Sequence, residues 1–320
     1  MNILAFLLIA FSPVFLTFRK QSGGGNRLLD FDYTNCLRGV AILFIMVGHI
    51  VVSMGNVRWI TPLGGIGVAL FLFLSGFGCN ESYKRKGLEG FWRKRVKRVL
   101  LPYAIVITIV YVCLQKWDLV SWSLEITGLR TSFWFIAFMV KWYIAFWVTT
   151  RFLQHYRMTA MGLLAIAALF LLPNIEAEQA MSFLLGVICS ERIQVVKRFS
   201  KRELAAIAVV GLVTGVAFLA LKQMPAVRQY EGEWIYSVVQ LMIKLPSAVG
   251  LVTALSFVPI LMKSRYLMLA GVISYELFLV HFPLYTYLDG QLLWAVALFI
   301  GSFIVAYGFN KLNVKISKLI

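Results

Sequence analysis

Long apolar stretches follow one another along nearly the whole chain, at residues 2–18, 36–54, 63–79, 99–114, 133–150, 157–173, 178–190, 204–221, 235–262, 267–288 and 291–309. A helix in hydrocarbon satisfies its own backbone polar groups and needs about 20 mostly apolar residues to cross. With 60% of residues hydrophobic and only 14% charged, the chain has too little polar surface for a soluble globular fold. Disordered and collagen-like chains are excluded by the same composition. The expected fold is an all-α polytopic membrane protein with about eleven transmembrane helices. The seventh stretch is short and reads as a re-entrant or tilted helix. The ninth contains Pro246 and Pro259, so a kink is expected there.

The net charge of +17 invites a nucleic-acid reading, but its placement argues against one. Positive residues alternate between loops. One set of loops carries Arg19, Lys20 and Arg27, then a dense run within 84–98, then Arg151 and Arg157, then Arg192, Lys197, Arg198, Lys201 and Arg202, then Lys263 and Arg265. The tail adds Lys311, Lys315 and Lys318, whereas the other loops hold only Arg58, Lys116, Arg130, Lys222 and Arg228. The positive-inside rule then predicts a multi-pass protein of the cytoplasmic membrane, with the N-terminus outside and the C-terminus in the cytoplasm. The first stretch lacks a basic start and a small-residue cleavage site, so it reads as a retained anchor. The organisation expected is an N-terminal anchor and loop at 1–30, one membrane domain at 31–310 and a short basic tail at 311–320. The glycine run at 22–25 has no strand–helix context and reads as a loop, not a phosphate cradle. The four cysteines are far apart and no metal-ligand pattern appears, so no metal is expected.

Ionisable side chains at bilayer depth are costly and therefore mark candidate sites. Here they are Arg38, His49, Lys141, Lys244, Glu276 and His281. Arg38 and His49 are eleven residues apart, three turns on one helix face, which separates them by about 16 Å along the axis. His281 sits at a similar depth on a helix running the same way, and Ser274, seven residues earlier, shares its face. Ser237, Gln240, Lys244 and Ser247 form a polar stripe on an otherwise apolar helix. Simple packing remains an alternative for each: a buried histidine bonded to a carbonyl, or a lysine paired with a carboxylate such as Glu276. His155 lies in a short loop and reads as solvated. The basic run at 84–98 is either a topology determinant lying on anionic lipid or a phosphate-binding patch. Intramembrane His, Lys and Glu also build proton relays, so a proton-coupled transporter is the rival function. A non-catalytic partner in envelope-glycan assembly is a third.

Five segments carry a family likeness. Leu37-Arg38-Gly39-Val40-Ala41-Ile42, continuing to Gly48-His49, resembles the Arg-x10-His signature of the membrane-bound acyltransferase 3 family. The run from Gly67 to Phe77, ending Ser75-Gly76-Phe77, resembles its Phe-rich Ser-Gly-Phe segment. Arg95-Val96-Lys97-Arg98 before Pro102-Tyr103 resembles its Arg-x-x-Arg element, and Gly271 to Pro283 its C-terminal Gly-x-x-Ser-Tyr…His motif. Trp134-Phe135-Ile136 resembles a weaker tryptophan motif. The likeness spans roughly 30–310, with the family's ten-helix core in segments two to eleven and segment one as an addition.

The resemblance implies an O-acyltransferase, most often an O-acetyltransferase, that moves an acyl group from cytoplasmic acetyl-CoA or another acyl-CoA to a hydroxyl of a cell-surface or lipid-linked carbohydrate. On that reading His49 is the general base and Arg38 holds or orients the donor. Arg95 and Arg98 grip the donor's phosphates, and Ser75 with Gly76 lets its pantetheine arm pass close to backbone. His281 orients the acceptor or stabilises the developing oxyanion. Ser274, Glu276, Lys141, Lys244 and Trp134 are substrate-binding candidates. No fused esterase-like domain is present in the sequence, so an oligomer or a partner acyltransferase joins the glycan acceptor, the acyl-CoA and membrane lipids among the expected partners.

Overall fold

A computed structural model describes residues 2–18, 28–55 and 59–319. Arg19, Lys20, Arg27, Arg58 and the glycine run at 22–25 lie outside the described residues. The protein is an all-α membrane protein, 84% helical, with no strands among the described residues. Its helices are α1 (Asn2–Leu16), α2 (Phe31–Gly55), α3 (Pro62–Lys86), α4 (Phe91–Cys113), α5 (Leu119–Thr127), α6 (Trp134–Phe152) and α7 (Arg157–Leu171). There follow α8 (Ser182–Glu191), α9 (Lys201–Gln223), α10 (Trp234–Phe257), α11 (Arg265–Val272), α12 (Ser274–Leu284) and α13 (Leu292–Leu319).

Each of the eleven apolar stretches carries a helix, but their lengths differ. Among the described residues six helices are long and apolar enough to cross a membrane: α2, α3, α4, α9, α10 and α13. Counting α11 with α12 as one broken span, bent by 76°, makes seven. The others fall short for physical reasons. At 15 residues α7 rises only about 22 Å, against the roughly 30 Å of a hydrocarbon core. The ten residues of α8 cover half a span, after a short turn at Asn174–Ala177. In α6 the row of tryptophan, tyrosine and Lys141 dilutes its apolarity. Pro246 lies inside α10, which ends at Phe257 before Pro259, so the expected 235–262 stretch is cut by its second proline.

Glycines set the closest helix contacts. A Cβ on Gly39 would strike the Leu267 carbonyl, and one on Gly271 the Asn35 carbonyl, so α2 and α11 touch backbone to backbone. The same reciprocity joins α3 to α8: a Cβ on Gly76 would strike the Phe183 carbonyl and one on Gly186 the Phe73 carbonyl. Contact at this range replaces side-chain packing with backbone van der Waals contact, as small residues do between membrane helices. The buried core therefore centres on α2 and α3, while α9 and α13 keep most of their surface free of protein contact. α1 packs on this frame through the Phe6–Phe299 edge contact, with ring centroids 5.7 Å apart.

Candidate functional site

Arg38, on α2, lies at the end of the bundle where the basic loops gather. Beside it α4 departs from α-helical geometry over Val96–Leu100, a π-helical turn in which the Leu101 N–H donates to the Val96 carbonyl. Pro102 accounts for this. It has no N–H for the carbonyl four residues back, and its ring crowds that carbonyl, so the preceding turn widens. The wider turn presents Arg95 and Arg98 to the same space as Arg38.

That space is a cavity of about 830 Å³. Its positive lining comprises Arg38, Lys84, Arg85, Lys86, Lys94, Arg95, Arg98 and Lys197, against Asp30 and Glu81. Arg95 is held in place: Nη2 lies 2.7 Å from Cys79 Sγ, and its guanidinium stacks over Phe91 at 4.3 Å and Tyr143 at 5.1 Å. Among the described residues Arg38 and Arg98 have no ion-pair partner. Cations that outnumber carboxylates eight to two around a polar hollow make it attractive to anions.

A second hollow of about 250 Å³ shares Arg38, Ser75, Arg98, Val99 and Tyr143 with the first. Ser75 Oγ and Tyr143 Oη are 2.8 Å apart at this junction. Ser274 and Tyr275 also line it, because the break after Val272 opens the N-terminus of α12 there. The positive end of that helix dipole adds to the two arginines. The hollow is capped by Phe71, Phe135 and Phe278, with Phe135 and Phe278 edge to face at 5.2 Å.

One turn beyond Phe278 stands the histidine pair. His49 Nδ1 and His281 Nε2 are 3.0 Å apart, and His281 Nδ1 is 2.7 Å from the Leu277 carbonyl oxygen. His281 is fully buried and His49 half-buried. Tyr285 stacks on the His49 ring at 4.5 Å and Phe282 meets it edge-on at 5.6 Å. The pair does not line either hollow. It lies on the far side of the phenylalanine cap from Arg38.

The other predicted residues separate from this axis. Gly76 faces Phe183 and sets helix packing, so it does not border the hollow as Ser75 does. Glu276 turns to α13, where Asn313 Nδ2 donates to it at 3.1 Å. The two lysines therefore take other carboxylates: the exposed Lys141 binds Glu176 at 2.7 Å and the buried Lys244 binds Glu178. These glutamates sit in the short turn before α8, beside Gln179, whose Nε2 donates to the Gly65 carbonyl at 2.9 Å. Trp134 is half-buried against Phe135 and lines neither hollow. On the polar stripe of α10, Ser237 Oγ and Gln240 Oε1 are buried without a hydrogen-bond partner among the described residues.

Sequence reasoning missed Tyr143, which joins both hollows, and Tyr285, which stacks on the His49 ring. It also missed the buried Arg157, which binds Glu191 and Asn80 and ties α7 to α8 and α3. Pro102 was the available signal for the π-turn; Tyr143 and Tyr285 carry none, because they are two of many aromatic residues.

A family model described as an acyltransferase domain matches residues 31–311, from the first residue of α2 into α13. Neither a curated protein nor a solved structure matches the chain.

Proposed function

Since the chain belongs to the acyltransferase 3 family, we propose that it is an O-acyltransferase, transferring an acyl group, most often acetyl, from acyl-CoA to a carbohydrate hydroxyl. The observation that carries the donor class is the pair of guanidiniums, Arg38 and Arg98, without an ion-pair partner among the described residues in a large, predominantly basic cavity. A phosphate-rich thioester fits such a lining, since guanidinium forks match phosphate oxygens. Arg95 and Arg98 take the phosphates. Arg38, Ser75 and Tyr143 then line the narrow way upward for the pantetheine arm.

The thioester supplies an activated acyl carbon, and this chain supplies the proton chemistry. A sugar hydroxyl is a weak nucleophile, so its proton must leave as the C–O bond forms. His49 Nε2 accepts that proton while the oxygen attacks the thioester carbon. The C–S bond then breaks and His49 returns the proton to the departing sulfur. For the two substrates to meet, the rings of Phe71, Phe135 and Phe278 must part and admit the reactive end of the donor. The acceptor, a surface or lipid-linked glycan, approaches from the histidine end. The basic end then faces the cytoplasm, with the C-terminus inside and the N-terminus outside, as the loop charges require.

Mass spectrometry of surface glycans from cells with and without the protein tests this. The expected difference is one acyl group per modified sugar, lost again in His49→Ala cells that still insert the protein. Glycans unchanged by deletion, or solute movement by the purified protein without acyl-CoA consumption, would favour the assembly or transport readings.

A further inference from the structure

Two rings and one backbone carbonyl decide where the protons of the histidine pair sit. The Leu277 carbonyl oxygen can only accept, and it lies 2.7 Å from His281 Nδ1. His281 Nδ1 must therefore carry hydrogen and donate to it. A neutral imidazole has one such hydrogen, so His281 Nε2 is a bare lone pair. That lone pair faces His49 Nδ1 at 3.0 Å. Two lone pairs at this distance repel, so His49 Nδ1 carries the hydrogen. His49 Nε2 is then the bare nitrogen of the pair.

A cationic His281 is the one arrangement that reverses this order. It would donate from both nitrogens and force the His49 hydrogen onto Nε2. Among the described residues no carboxylate contacts either ring; Glu276, on the same helix, is engaged by Asn313. A charge on a fully buried ring at bilayer depth, next to Phe278 at 5.9 Å, has nothing to offset it.

We propose that His281 is a positioning residue. As a hydrogen-bond acceptor anchored to the Leu277 carbonyl, it fixes His49 in the Nδ1–H tautomer and leaves His49 Nε2 free as the base. The inference rests on the general-base role of His49 given above and deepens it. It also removes the oxyanion role expected for His281, whose only hydrogen is committed to Leu277. When His49 takes the acceptor's proton at Nε2, its Nδ1–H bond to His281 becomes charge-assisted and stronger. A neutral imidazole thus does for His49 what a buried carboxylate does for the histidine of a hydrolase triad, without placing a permanent anion in the membrane. Tyr285 and Phe282 complete the device by holding the His49 ring plane.

The test is nitrogen NMR on purified full-length protein labelled with ¹⁵N-histidine. The chain has only three histidines, so His155→Gln and His281→Phe assign the spectrum. Wild-type protein should show His49 with Nδ1 protonated and Nε2 bare. His49 protonated at Nε2 overturns the proposal, and this reading needs no variant to be active. Kinetics give the second arm. His281→Phe keeps the ring volume and removes the acceptor; its turnover should fall about 10²-fold or more, while the acyl-CoA KM moves less than about threefold. His281→Gln places an amide oxygen near the old Nε2 position and should recover at least about tenfold of that loss. Equal activity in the Phe and Gln variants, or a loss confined to KM, counts against positioning. An active His49→Ala enzyme instead sinks the base role itself, and the wild-type spectrum separates the two failures.

Discussion

Arg38 and Arg98 face a cavity with no carboxylate in ion-pair reach among the described residues, whereas Lys141 and Lys244 each meet a glutamate. All four are cations on or beside membrane helices, and burial does not sort them: Lys244 is buried, Arg38 half-buried, and Lys141 and Arg98 exposed. Their surroundings do. A cation that has an anion of its own is neutralised in place and serves the fold. A cation held on the wall of a hollow without one keeps its field available to a ligand. On the proposed reading Lys141 and Lys244 belong to the frame and the arginines to donor recognition, although Arg38, Lys141 and Lys244 looked alike as intramembrane charges in the sequence and Arg98 belonged to the basic run at 84–98.

Four tests sharpen that division, and the largest effect comes from the frame. Glu178→Gln leaves Lys244 buried without an anion, and should destabilise the protein by about 3–5 kcal/mol. Thermal unfolding in detergent reads this, and adding Lys244→Met should restore most of the loss. If Glu178→Gln instead raises the donor KM at unchanged stability, the frame assignment of Lys244 is wrong. Removing the recognition arginines gives the opposite signature. Arg38→Ala with Arg98→Ala should raise the acyl-CoA KM about 10–100-fold, from lost hydrogen bonds to charged groups, with a melting temperature unchanged or higher. Raised salt should mimic this in wild type by screening the cavity.

Gly76→Ala comes third. A methyl group meeting the Phe183 carbonyl should cost about 1–3 kcal/mol of stability, and the surviving protein should keep the wild-type KM. A raised KM with intact stability would return Gly76 to the donor path. Tyr143→Phe should be mildest, about 1 kcal/mol in donor affinity, because it loses the single contact with Ser75 and leaves the Arg95 stack in place.

Much of the fold was legible because hydrocarbon imposes a one-dimensional rule: a helix must be apolar along its length, and the eleven stretches follow directly. Span count was not, since α7 and α8 are too short to cross, and the α11–α12 break falls at Ile273 with no proline to announce it. Within the site, the Arg38–His49 register on one helix face follows from the helical period. The lysine partners did not follow. Glu276 was the carboxylate at helix depth in the sequence, while Glu176 lay in what reads as a loop and Glu178 at the very start of the short 178–190 stretch; only the fold of the turn before α8 brings them to the lysines. The tautomer order was equally hidden, because it depends on a backbone carbonyl, which no side-chain pattern records.

The cap formed by Phe71, Phe135 and Phe278 has one more consequence. A shaft of polar groups running from one face of a bilayer to the other would let ions and protons through and drain any gradient stored across it. Here three oily rings stand between the polar well and the imidazoles. In the proposed reaction the same rings would have to part for the donor, so they would open the barrier only while a substrate fills the gap.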